Sequence, residues 1–316
     1  MNRKGIYAAS RQCLRDAEPS PRKLTLLFAL TLYGVFALFD LISVALDTGG
    51  GAGLSGAVRQ NSLLSILSAG SFVLSLASVV WNTNYLSYAL RLSRGQETSY
   101  RDFVTPFRKA GTILLVRILS YIYTYFWTLL FMLPGMLVLG GVPIDLPPAA
   151  DFDQIYNAVL NTMMTSPVAH FGILLCALAV IPGFIMSYRY ALAPFMVFHH
   201  DASASQALRE SKLLSRGRKK DLLLMDLHFW YYFLLTAIPS ALMVLSLYGL
   251  LPIPEAAVEL IGYVQYVWMT LLMVWKLPEV STVRAHAFNA ILEATLKSLQ
   301  NHSAPEAPQE PPLIEG

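Results

Sequence analysis

The chain has 316 residues, of which 55% are hydrophobic and 14% charged, with a mean hydropathy of +0.50 and a formal net charge of +3. That is more apolar surface than a soluble chain of this length can bury, so an ordinary globular protein is excluded and a membrane protein is indicated. The predicted fold class is all-α: a polytopic membrane helix bundle of about six transmembrane helices, with short interfacial helices and both termini cytoplasmic.

Residues 1–23 form a basic leader, predicted as a cytoplasmic helix. A hydrocarbon core of ~30 Å takes roughly 20 apolar residues to cross. Stretches of sufficient length lie at about 24–46, 63–90, 112–139, 169–193, 222–250 and 257–277, giving a six-span membrane domain over 24–277. The first resembles a signal peptide, but its apolar core is too long and no small-x-small cleavage site follows, so it is expected to be retained. "GGGAG" at 49–53 reads as a flexible loop, since it has no lysine and no nucleotide-loop pattern surrounds it.

Outside the spans, Asp151 caps a predicted amphipathic helix over 151–165, with Phe152, Ile155, Tyr156, Val159, Leu160, Met163 and Met164 at helical spacing. It is expected to lie on the outer surface or to act as a lid. Residues 278–300 repeat the pattern with Val280, Val283, Ala287, Phe288, Ile291, Leu292, Leu296 and Leu299, which predicts a cytoplasmic helix able to bind a protein partner through 279–300. The Pro- and Glu-rich tail, 301–316, is expected to be disordered.

Positive residues fix the orientation, because Lys and Arg in short loops stay cytoplasmic. Six lie in the leader, five in the second loop (Arg91, Arg94, Arg101, Arg108, Lys109), six in the fourth and three from the end of the last span onward (Lys276, Arg284, Lys297). On the other side stands only Arg59. The fourth-loop set, Arg209, Lys212, Arg216, Arg218, Lys219 and Lys220, is also a candidate contact for anionic lipid headgroups, each such residue contributing on the order of 1 kcal/mol near the surface. Nucleic acid is not an expected partner, since no aromatic-laced soluble module accompanies these charges.

Two hairpins echo one another. Tyr88-Ala89-Leu90 and Tyr190-Ala191-Leu192 each precede a polar break and a capping-box pattern, Ser99-x-x-Asp102 and Ser203-x-x-Gln206, that should start a short helix. The echo fits either a parallel repeat or coincidence.

Candidate functional groups are few. His199, His200 and Asp201 are adjacent, so they cannot all face one ion from a helix, and a metal would need Asp221, Asp226 or His228 as well. The cysteines, Cys13 and Cys176, fall on different levels of the bundle, so no disulfide is expected. No cofactor or metal is expected, and no catalytic residue is assigned. Charges inside or near the membrane are Asp40, Arg117, Arg189 and Asp226, the second, third and fourth of which lie toward the cytoplasmic interface. If Pro194 ends the fourth span, Arg189 lies about 7.5 Å inside it, and Asp226 lies about 9 Å beyond Lys220. Those matched depths predict a structural ion pair between Arg189 and Asp226, flanked by the hydroxyls of Tyr188 and Tyr190.

The run from 181 to 230 carries Pro182-Gly183, Tyr188-x-Tyr190, Ala193-Pro194, Asp201, Ser211-Lys212, Gly217 and Leu224 to Trp230. It resembles the signature of the bacterial integral membrane proteins known only as domain of unknown function 975. Weaker similarity extends to the leader, to 103–111, 126–135 and 277–292. In that family the Trp-containing Pro-Gly segment runs directly into the Tyr-x-Tyr segment, whereas about 46 residues intervene here. The resemblance implies a multi-pass bacterial plasma-membrane protein and carries no established activity. The leading functional reading is a non-enzymatic transporter-like or accessory envelope component. The alternatives are an enzyme acting on lipid headgroups at the cytoplasmic rim, and a scaffold or immunity-type partner protein.

Overall fold

The structure is a computed structural model that describes residues 2–48, 54–144, 151–247, 251 and 254–303. The loop expected at 49–53 and, of the tail expected at 301–316, residues 304–316 lie outside the described residues. Among the described residues all regular structure is helical, and the chain falls into two compact units. One holds the residues up to Ala110 together with those from Leu224 onward, and the other runs from Gly111 to Leu223.

In the first unit, α1 (Arg3–Asp16) starts where the Asn2 side chain accepts the Gly5 N–H at 3.1 Å. Ala17 then turns extended ahead of Pro19, and Pro21 opens α2 (Pro21–Thr48), so the leader and the first span are separate helices. α3 (Leu54–Ser93) runs back antiparallel. Thr25 shares a hydroxyl hydrogen bond with Tyr85 at 2.7 Å, and a side chain at Gly70 would meet the Phe39 ring. Gly95, in the left-handed region at φ +66°, turns the chain out of α3.

Two 3-10 turns follow, Tyr100–Phe103 and Thr105–Lys109. They deliver Phe103 into a buried aromatic cluster with Phe28, Tyr85 and Tyr88, where ring centroids lie 5.0 to 5.6 Å apart. Aromatic pairs at such separations add stability beyond their buried area. Asn84, buried beneath them, donates to the Phe103 carbonyl at 3.0 Å.

α10 (Trp230–Leu247) and α11 (Glu255–Ser303) complete this unit. α11 is one helix of 49 residues with Pro278 inside it. The break expected between a span ending at 277 and a separate helix at 278–300 is therefore absent, and residues 301–303 continue the helix. Thr282 bonds back to the Pro278 carbonyl at 2.7 Å, the i−4 back-bond usual for a threonine inside a helix.

The second unit holds α4 (Ala110–Gly140), α5 (Phe152–Thr165), α6 (Pro167–Ser187), α7 (Ala193–His200) and α8 (Ala204–Leu214). The Asp151 cap forms as expected, with Gln154 N–H on its carboxylate at 2.8 Å and the Gln154 side chain returning to the Asp151 N–H at 3.3 Å. The cap expected at Ser203 does not. Its hydroxyl makes no cap hydrogen bond, and the Gln206 amide turns instead to Glu210 at 2.8 Å. The fourth span is also shorter than expected. α6 ends at Ser187, and Pro194, expected to end it, stands in the first turn of α7. A proline fits there because that N–H has no helical partner in any case.

Among the described residues, four helical segments are long and apolar enough to cross a membrane: Pro21–Ile42, Tyr100–Gly140, Pro167–Ser187 and Leu260–Gln300. A fifth is possible if α9 (Lys219–Leu227) and α10 are one span, but the pair bends by 66° at residues 228–229. The regular helix expected over 222–250 is thus broken near its start.

Candidate functional site

The polar chemistry of the first unit gathers where α2 begins. Here α1, the end of α3, the α9–α10 junction and the middle of α11 meet. Each contact has a clear structural purpose. Cys13 donates its Sγ–H to the Leu92 carbonyl at 2.9 Å, and burial, helped by Asp16, pushes that thiol above its ordinary range. Asn289 of α11 donates to the Ser93 hydroxyl at 3.0 Å. Tyr7 of α1 donates to the Met225 carbonyl at 3.2 Å, and its ring lies 4.6 Å from that of His228.

Asp226 receives two parallel hydrogen bonds from Arg284, Nε to Oδ1 at 2.8 Å and Nη2 to Oδ2 at 2.9 Å. The carboxylate expected to pair with Arg189 is bound by a guanidinium on α11.

Glu279 forms a second node. It accepts from Lys276 at 2.8 Å and from Arg11 at 3.4 Å. Asp40, deep in α2, accepts the hydroxyl hydrogen of Tyr266 on α11. Its burial is thus answered by a neighbouring helix. Arg91 clamps the turn after α3 through Asp102 and through the Glu97 carbonyl at 3.1 Å.

In the second unit, the Tyr188 to Leu192 segment is a turn between α6 and α7 rather than the end of a helix. Two buried serines, one in α8 and one just after it, hold it: Ser211 donates to the Arg189 carbonyl at 2.8 Å and Ser215 to the same oxygen at 3.4 Å. The Arg189 guanidinium lies 3.9 Å from the Met186 sulfur. Tyr188 is buried, with its ring edge-on to Phe184, and Tyr190 stacks on Tyr123 at 5.6 Å. Arg117 is half-buried in the second turn of α4.

Ser211→Ala is expected to lower stability by about 1 kcal/mol, the net value of one hydrogen bond, plus a further term for the carbonyl it leaves. Thermal unfolding of the detergent-solubilised protein measures it. A change no larger than that of an exposed α8 control such as Ser205→Ala would show that the serine clamp is idle.

His199 and His200 end α7 on exposed positions, with rings 5.6 Å apart and nearly perpendicular. His200 meets Glu210 at 3.1 Å. Asp201 adopts the left-handed cap conformation, φ 59° and ψ 32°. Among the described residues no three His, Cys, Asp or Glu side chains stand together as a metal site would require. In α8 one face buries Ala204, Ala207, Leu208, Ser211 and Leu214, while Arg209 and Lys212 are exposed on the other. Arg216 and Lys220 are exposed as well, and Arg218 and Lys219 are partly covered.

The stripe on α11 offered to a protein partner is largely used within the chain. Val280, Val283, Ala287, Phe288 and Ile291 are buried, and Leu296 and Leu299 are exposed.

The family described as "Protein of unknown function (DUF975)" matches residues 1–294 of the chain. No curated protein and no solved structure matches it.

Proposed function

We infer the following from the premise that the chain belongs to the family described as a protein of unknown function (DUF975): it is a six-span protein of the bacterial plasma membrane with both termini cytoplasmic. It acts as a non-enzymatic accessory or transporter-like component of the envelope. One observation carries the topology. α2 and α11 are antiparallel, since Asp40 and Tyr33 of α2 meet Tyr266 while the start of α2 meets residues 275–279. α3 is likewise antiparallel to α2, since Thr25 meets Tyr85 while Phe39 meets Gly70.

The first span therefore begins on the face where the last one ends, which supports an even number of crossings. Between the end of α3 and the start of α11 the chain must cross an odd number of times. α4, α6 and the bent α9–α10 pair supply three. The excess of Lys and Arg on the α1 side makes that face cytoplasmic.

The non-enzymatic reading rests on where the reactive side chains are engaged. Asp40, Asp102, Asp226, His200 and Glu279 each bind another helix or turn of the same chain. Anionic lipids are the proposed partners of the exposed Arg209, Lys212, Arg216 and Lys220, and a protein partner would find Leu296 and Leu299.

Single cysteines, in a chain with Cys13 and Cys176 replaced by serine, test the topology. Thr98 and Ser215 are buried, so exposed Gln96 and Arg216 are the better cytoplasmic reporters. An impermeant thiol reagent is expected to label positions 55 and 150 in whole cells and positions 96 and 216 only after lysis. Labelling of the second pair in intact cells would overturn the orientation.

A further inference from the structure

A pocket of about 470 Å³ opens between α1, the first turn of α2 and the middle of α11. Arg11, Arg15, Arg22 and Lys276 line it with Trp275, and Glu279 is the one carboxylate among its described lining residues. Four cations against one anion leave an excess of positive charge. Glu279 is engaged with two of those cations, Lys276 at 2.8 Å and Arg11 at 3.4 Å. Arg15 and Arg22 are exposed at the mouth.

The level of the pocket narrows the ligand. Pro21, where an apolar membrane-crossing segment begins, lines it, and so does Trp275, 49% exposed and one residue before the lysine that ends the last apolar stretch. Two span ends reaching one cavity place it at headgroup depth, where tryptophan rings settle and where basic pockets between helices hold lipid phosphates. Lys276 is fixed there, its ammonium 5.0 Å from the Trp275 ring and 5.6 Å from the Tyr231 ring. A positioned cation loses less entropy when it meets an anion.

We propose that this pocket binds a phosphate group, presented by the headgroup of an anionic membrane lipid such as a phosphatidylglycerol. The lipid source rests on the six-span reading, whereas the affinity for phosphate rests on the cavity and its charges. Arg15 and Arg22 grip the phosphate, Lys276 closes on it from α11, and Trp275 packs against the glycerol and upper acyl chain. The lipid thereby ties the leader helix to the end of the last span.

Native mass spectrometry of the full chain, released from detergent with equal amounts of phosphatidylglycerol and phosphatidylcholine of the same acyl chains, tests this. The protein is expected to retain one phosphatidylglycerol in preference to phosphatidylcholine. Arg15→Gln with Arg22→Gln should reduce the preference about twenty-five-fold, a factor of about five for each charge lost near the surface. Arg15→Lys with Arg22→Lys should keep most of it, which separates lost charge from lost fold. Arg209→Gln with Lys212→Gln on α8 should leave the single tightly held lipid in place. Equal retention by the parent and the Gln variant, or equal loss in the α8 variant, would overturn the pocket. Inorganic phosphate in large excess should not displace the lipid, and displacement would overturn the lipid source. Cysteine labelling reports topology without using Arg15 or Arg22, so failure of the lipid preference with the expected labelling removes the pocket alone.

Discussion

Gly135→Ala is expected to destabilise the protein by about 2 kcal/mol, and Gly135→Leu to prevent α4 and α6 from packing at all. A Cβ placed on Gly135 would stand 2.5 Å from the Cys176 sulfur, 2.8 Å from the Cys176 nitrogen and 2.9 Å from the Gly172 carbonyl oxygen. Two of those three atoms are backbone, so no rotamer change relieves the clash and the helices must part. The approach is reciprocal: a side chain at Gly172 would meet Leu139 at 2.7 Å, and one at Gly183 would run into the Thr128 hydroxyl. Gly172, Cys176, Ala179 and Gly183 recur every three or four residues and so share one face of α6. Helices in lipid gain little from hiding apolar surface, because the acyl chains are equally apolar, and they associate instead through close packing of small residues. Gly34, in the interior of α2, supplies the control, since a Cβ there meets nothing within 4 Å. Gly34→Ala is expected to be neutral or slightly stabilising. Thermal unfolding in mild detergent compares the two, and equal midpoints for both alanine variants would sink the argument.

The small-residue face was open to reading from spacing, whereas the helix boundaries around prolines were not. Pro194 and Pro278 show why. Proline removes one N–H and fixes φ, and both properties suit the first turn of a helix as well as the residue after its end. Pro194 begins α7, and Pro278 sits within α11, although the same residue type at 134 and 182 also lies inside long helices. Local pattern also misleads where the same tripeptide meets different surroundings. Tyr88-Ala89-Leu90 is buried inside α3, and Tyr190-Ala191-Leu192 forms the turn that Ser211 and Ser215 hold. The caps at Asp151 and Ser99 were legible because donor and acceptor stand three residues apart. The partners of Asp40 and Asp226 stand 226 and 58 residues away. Periodicity carries no information over such distances. Burial depth signals that a charge needs a partner without saying which one answers.

Asp226 and Arg284 illustrate what such a partner is worth. Asp226 is the penultimate residue of α9, immediately before the 66° bend into α10, and Arg284 lies two turns past Lys276 on the long α11. Their fork of two bonds, 2.8 and 2.9 Å, fixes the bend against α11, and the guanidinium carbon also lies 5.8 Å from the centre of the Phe233 ring just after the bend. The side chains are 16% and 40% exposed. The pair is thus neither a surface bridge, worth up to about 1 kcal/mol, nor a fully buried one, whose rupture costs about 3–5 kcal/mol. Asp226→Asn and Arg284→Gln are each expected to cost about 2 kcal/mol, because each leaves a half-buried charge facing a neutral amide. The double variant should cost less than the sum of the two by about 1 kcal/mol, since neither charge is then stranded. Chemical or thermal unfolding in detergent, read by circular dichroism, gives the three differences. Strict additivity would mean that the fork seen between α9 and α11 contributes no coupling, and that the bend is held by Tyr7 and the rings around His228 instead.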